Sequence, residues 1–134
     1  MDMAGTFVPH ASVEFETLDW GQLGWLSRPA STGAKQLVVI DVRLDPGGCH
    51  NFHKHPDQEE VLFVIEGAVE QWIGDEKHIM RAGDACFVPT GTVHASFNDF
   101  DGNAKLLAIL GPCVGEAGYE LVDVAEEEPW ASLR

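Results

Sequence analysis

Residues 47–67 concentrate three histidines and two adjacent glutamates: Gly-Gly-Cys-His-Asn-Phe-His-Lys-His-Pro-Asp-Gln-Glu-Glu-Val-Leu-Phe-Val-Ile-Glu-Gly. His53 and His55 stand two positions apart, and in an extended strand alternate side chains share a face. Glu60 lies beyond a Pro56-Asp57 turn signal, so a returning strand brings it back to the two imidazoles. Two imidazoles and a carboxylate aimed at one point are the donors of a divalent metal ion. A fourth donor, His94, follows Pro89-Thr90-Gly91, and Ser96 and Asn98 share its strand face. The set His53, His55, Glu60 and His94 implies one divalent ion per chain. Three nitrogens and one oxygen leave open positions on an octahedral ion, which suits Fe(II), Mn(II) or Ni(II); zinc fits such a thiolate-free site less well but is admitted by it. Glu60 is preferred to Glu59 because an inward Glu60 also turns Leu62 and Val64 inward.

The elements that must position these donors are short strands. Residues 36–44 alternate, with Val38, Ile40, Val42 and Leu44 on one face. Further strands are expected over 13–18, 20–27, 59–65, 69–73, 77–80, 85–88, 93–98, 105–110 and 119–124, separated by Gly, Pro, Asp and Asn turns. Residues 29–34 read as a loop. No segment shows sustained helical periodicity, so the class is all-β, a sandwich or barrel of antiparallel strands. Residues 1–12 read as a flexible arm, 13–124 as a single domain and 125–134 as an acidic tail.

With 134 residues, 45% of them hydrophobic, the chain suffices for one packed domain. A formal net charge of −14 argues against nucleic acid or an anionic membrane as partner. No run is apolar enough to span a bilayer, residues 1–12 lack a basic region followed by an apolar one, and three irregularly spaced cysteines read as free thiols. A reducing cytoplasm is the expected setting.

Two motifs are complete. Gly47, His53, His55, Glu60 and Gly67 fit G-x5-H-x-H-x4-E-x6-G, and Gly83, Pro89, Gly91, His94 and Asn98 fit G-x5-P-x-G-x2-H-x3-N. The sequence thereby resembles the cupin superfamily, in its small single-domain form. The resemblance implies a jelly-roll β-barrel with the metal inside, frequent homodimerisation and a small-molecule substrate or ligand. Resemblance to oxygen-using cupins implies dioxygenase chemistry in which Glu60 alternates between ligand and general base. The family also includes non-redox isomerases and lyases, and binding or sensing modules, and fold alone does not choose among them.

Gln71 and Asn98 are candidate hydrogen-bond partners for a substrate, with turn capping the competing role for Asn98; Trp72 is a candidate stacking surface. His50 has the opposite parity to His53 in an uninterrupted strand, which leaves it at most at the mouth. Cys49, Cys86 and Cys113 read as small buried hydrophobes. Arg43 and Arg81 are surface residues or anion anchors.

Overall fold

The computed structural model describes residues 4–134; within the expected arm, Met1, Asp2 and Met3 lie outside them. After a single 3₁₀ turn (His10–Ser12) the chain runs through β1 (Glu14–Leu18), β2 (Gly21–Ser27), a one-turn helix α1 (Pro29–Thr32), β3 (Val38–Leu44), β4 (Cys49–Lys54), β5 (Glu59–Glu66), β6 (Ala68–Ile73), β7 (Glu76–Arg81), β8 (Ala85–Val88), β9 (His94–Phe97), β10 (Ala104–Gly111), β11 (Val122–Asp123) and a terminal turn α2 (Trp130–Leu133). All named pairings are antiparallel. One sheet orders β1-β2-β3-β10-β5-β8 and the other β11-β4-β9-β6-β7. The two stay separate as a sandwich of the jelly-roll kind.

Period-two alternation drives this arrangement. In β5, Glu60, Leu62 and Val64 are buried while Glu59, Val61, Phe63 and Ile65 are exposed. β10 and β3 supply Ala104, Leu106, Ala108 and Leu110, and Val38, Ile40, Val42 and Leu44, to the core between the sheets. A second apolar cluster (Phe52, Trp72, Ala95, Phe97 and Val124) lies apart from that core, and Trp130 and Leu133 pack onto it. Thus Glu126, Glu127 and Glu128 are exposed, but the residues after them fold back onto the sandwich.

Two departures from the expected elements have local causes. Residues 29–34 carry one helical turn, stopped at Gly33 in the left-handed region with φ 74°. Of residues 119–124 only Val122 and Asp123 join a ladder. The backbone before them bonds to side chains instead: Glu120 N–H donates to Gln58 Oε1 at 3.1 Å, and its carbonyl faces His55 Nδ1 at 2.6 Å.

Turns hold the donor strands in place. Gly67 has φ 79°, and a Cβ there would lie 2.5 Å from the Asn103 carbonyl oxygen, so only glycine closes the β5–β6 turn. Asn98 is a tie between loops. Its Nδ2 donates to the carbonyls of Leu44 (3.0 Å), Asp45 (3.2 Å) and Gly102 (2.9 Å), and its Oδ1 accepts from Phe100 N–H at 3.2 Å. With every amide atom committed to backbone, the turn-capping role holds. Asn98→Ala is expected to destabilise the protein by about 3 kcal/mol, the scale for stranding buried backbone partners. Urea unfolding measures this; a loss below about 1 kcal/mol would contradict the structural role.

Candidate metal centre

β4 and β9 are neighbours in one sheet and place His53 opposite His94. His55 follows β4, and Glu60 comes from β5 in the facing sheet. All four are buried. The three histidines each offer a ring nitrogen, and these nitrogens lie within 4.8 Å of one another. Glu60 Oε1 lies 3.3 Å from His55 Nε2 and 2.8 Å from His94 Nε2. The parity argument for Glu60 over Glu59 holds, since Glu59 is exposed.

The imidazole tautomers follow from hydrogen bonding. Nδ1 of His53 faces the Asn51 carbonyl at 2.6 Å, Nδ1 of His55 the Glu120 carbonyl at 2.6 Å, and Nδ1 of His94 the Thr92 carbonyl at 2.9 Å. A carbonyl only accepts, so each Nδ1 donates, and each neutral ring keeps its lone pair on Nε2. Outer hydrogen bonds of this kind orient metal-ligating histidines. Despite their 2.8 Å approach, Glu60 Oε1 and His94 Nε2 lack hydrogen-bond alignment, and both are buried atoms without a partner. A cation among these atoms satisfies them, so the residues fit a bound metal ion. A cavity of about 20 Å³ lies here, lined by His50, His53, Glu60, His94, Ser96 and Tyr119 among others. It has room for one ion or water.

Electrostatics are consistent with this fit. Burial pushes the Glu60 pKa up, but His55 and His94 outweigh it and hold the carboxyl down at about 2. Burial, reinforced by the neighbouring histidines, keeps His53 well below the usual imidazole range. Burial also acts to lower His94, but the Glu60 carboxylate overrides it and raises that pKa.

His50 is brought closer than its parity suggested. The β4–β9 register shifts between His50 and His53, and this bulge restores both rings to one side. The His50 ring stacks on His53 at 3.8 Å and on Trp20 at 5.1 Å. Enclosed between them, it is desolvated and its pKa falls to about 4. Outside the inner cavity opens a cleft of about 830 Å³, and His50, His53, Leu23 and Tyr119 line both spaces.

The remaining candidates sit elsewhere or one layer out. Gln71 is buried, accepts a hydrogen bond from Ser96 Oγ at 2.5 Å and donates to the Trp72 carbonyl at 3.1 Å. Trp72 packs with Phe52 in the second cluster and donates to Glu70 at 2.8 Å, so the structure does not bring it to the inner cavity. Asn98 is spent on the loops described above. Arg43 bonds Asp41 through two nitrogens, at 3.2 and 3.1 Å. Two contributors were not anticipated. Gln58, fully buried, donates to the Pro112 and Gly118 carbonyls at 2.8 Å each, and so fixes the loop that presents the Glu120 carbonyl to His55. Tyr119 places its ring 5.1 Å from that of His55. Gln58 stands between His55 and Glu60, the one sequence cue to its role.

Known proteins resemble this chain in sequence and fold. Residues 40–110, over half the chain, match the family described as Cupin domain. The chain is 30% identical over 111 residues to Protein SchB of Streptomyces halstedii, covering 83% of this chain and 80% of that protein. It is 28% identical over 103 residues to Polyketide synthase CurC of Streptomyces cyaneus, covering 77% of this chain and 67% of that one. The solved structure of KdgF from Halomonas sp. superposes with a TM-score of 0.72 at 20% identity, covering 81% of this chain and 94% of that one. The fold, the complete pair of motifs and these likenesses agree: the chain belongs to the cupin family.

Proposed function

We propose that this cupin is a metal-dependent enzyme that oxidises a small organic molecule with dioxygen. One divalent ion, iron, manganese or nickel in preference to zinc, is held by His53, His55, Glu60 and His94. The observation that carries the reading is the convergence of the histidine Nε2 lone pairs beside the unpartnered Oε1 of Glu60. When bound, such an ion supplies Lewis acidity and one-electron chemistry at its open positions.

The chain's own residues orient and exclude. Leu23, Ile40, Val42, Leu62, Leu106 and Ala108 wall the inner cavity and keep bulk water out. Among the described residues Glu60 is the only carboxylate lining that cavity, and the proton-accepting role falls to it in this reading. Gln71 acts through Ser96, which borders the cavity. The likeness to a polyketide synthase component supports a small organic substrate. Three unpaired cysteines fit a reducing, cytoplasmic setting.

Protein purified without chelator is expected to carry one equivalent of metal and, loaded with iron, manganese or nickel, to consume oxygen with a member of a panel of flavonols, diketones and thiols. Turnover that proceeds equally without oxygen would contradict the oxidative reading. His55→Ala and Glu60→Ala should each weaken metal affinity by at least ~10–100-fold, the scale seen even for outer-sphere losses. Full metal retention in both would refute the ligand set.

Affinity should also depend on pH. The raised pKa of His94 means that its ring takes up a proton at higher pH than a free imidazole, and that proton must leave before Nε2 ligates. Metal affinity is therefore expected to fall roughly tenfold per pH unit below the free-histidine value of ~6.5, with the decline beginning above it. A flat profile from pH 5 to 8 in competition titrations would be incompatible with histidine ligation.

The outer face of the six-stranded sheet supports a homodimer. Val61 pairs with Phe87 and with Ile109, and Phe63 pairs with Leu107. Val61, Phe63, Ile65 and Phe87 are exposed there as a contiguous apolar surface. Light scattering should give twice the 14.6 kDa chain mass, and Phe63→Asp with Phe87→Asp should halve it. A monomeric wild type would rule the dimer out.

A further inference from the structure

The cleft outside the inner cavity has a composition that selects among substrates. Its volume, about 830 Å³, lies within the ~300–1,000 Å³ typical of organic-ligand sites. The inner cavity, about 20 Å³, admits an ion or a water but no organic skeleton. A substrate that reacts at the ion must therefore keep its body in the cleft and pass only its reacting atoms beyond His50 and His53.

The cleft walls are aromatic and acidic. Trp20, Trp25, Tyr119 and His50 line it, together with the carboxylates Glu16, Asp19, Asp45 and Asp123. None of the chain's eight lysines and arginines lines it. Arg28 lies 4.4 Å from the Trp25 ring, but it borders a separate groove and pairs with Glu14 at 3.2 Å. Arg43 is committed to Asp41. Trp20 stacks on His50, and His50 on His53, so flat rings lead from the cleft to the ligand cluster. Planar rings stack favourably on such surfaces. An anionic body would face four carboxylates with no fixed cation to offset them, in a protein of net charge −14.

We infer that the substrate is a planar aromatic molecule whose body carries no negative charge, taken up by the Trp20–His50 side of the cleft, and that substrates with an anionic body are rejected there. The inference rests on the metal-centre reading above, which supplies the inner anchor.

The test uses metal-loaded protein and two probes with the same chelating end: 2,3-dihydroxynaphthalene and 2,3-dihydroxynaphthalene-6-sulfonate. They differ only in a charge at the far edge, which the cleft would hold. Calorimetry and tryptophan quenching should show the uncharged diol binding roughly tenfold tighter, with 1 M salt narrowing the gap to about threefold or less. Trp20→Ala should weaken diol binding roughly tenfold at unchanged metal content. The exposed-carboxylate variant Asp19→Asn/Asp45→Asn/Asp123→Asn keeps the fold testable and should bring the two probes together. Equal or tighter binding of the sulfonate, or no diol binding below 1 mM, would overturn the inference. Metal content is read on the same samples: an absent ion sinks the metal-centre reading, whereas a bound ion with a preferred sulfonate sinks only the substrate class.

Discussion

A carboxylate buried between two sheets is the constraint around which this fold is arranged. Glu60 reaches from β5 toward imidazoles carried by the opposite sheet, with no lysine or arginine lining the cavity beside it. A buried negative charge needs a compensating positive one. The three histidines do not supply it as protonated groups throughout, since burial holds His53 neutral. Their Nδ1 atoms are turned to backbone carbonyls, and their Nε2 lone pairs are turned inward. A bound cation would answer the charge, the lone pairs and the small cavity together. The positions of β4, β5 and β9, the bulge in β4 and the loop secured by Gln58 all serve to bring these atoms together.

The outer parts of the molecule divide the remaining work. The apolar outer face of the six-stranded sheet leaves the cleft clear, because the cleft opens on the side of β1, β2 and the start of β4. The C-terminal turn covers Phe52, where Trp130 approaches to 5.6 Å, and Arg134 lies 3.9 Å over Phe97. This packing braces the sheet that carries His53 and His94. The acidic residues around the cleft contribute little to packing and fit a role in discrimination.

Much of this was legible in the sequence, because strand parity is a local rule. Val38 to Leu44, Glu60 with Leu62 and Val64, and His94 all face as their alternation requires. The positive φ at Gly67 and Gly91 follows from turn chemistry. What escaped was non-local or broke the local rule. A bulge changes the count, so His50, out of phase in an even strand, stacks on His53. Trp72 is in phase with the outer face, and only the packing of residues 124–133 shows what covers it. Gln58 acts across more than 50 residues of chain, on Pro112 and Gly118, where periodicity carries no information. The cleft's charge came from β1, the β1–β2 turn, the β3–β4 turn and β11, which are brought together only by the fold.

The central claim is that three imidazoles are held with Nδ1 protonated and Nε2 turned to a common ion. Long-range ¹H–¹⁵N correlation spectra of histidine-labelled protein, before and after loading with diamagnetic zinc, test it directly. The account predicts His53 and His55 as neutral Nδ1–H tautomers at pH 8, and zinc-induced shifts at Nε2 of His53, His55 and His94 together. Nε2–H tautomers at these positions, or shifts confined to other histidines, would contradict it.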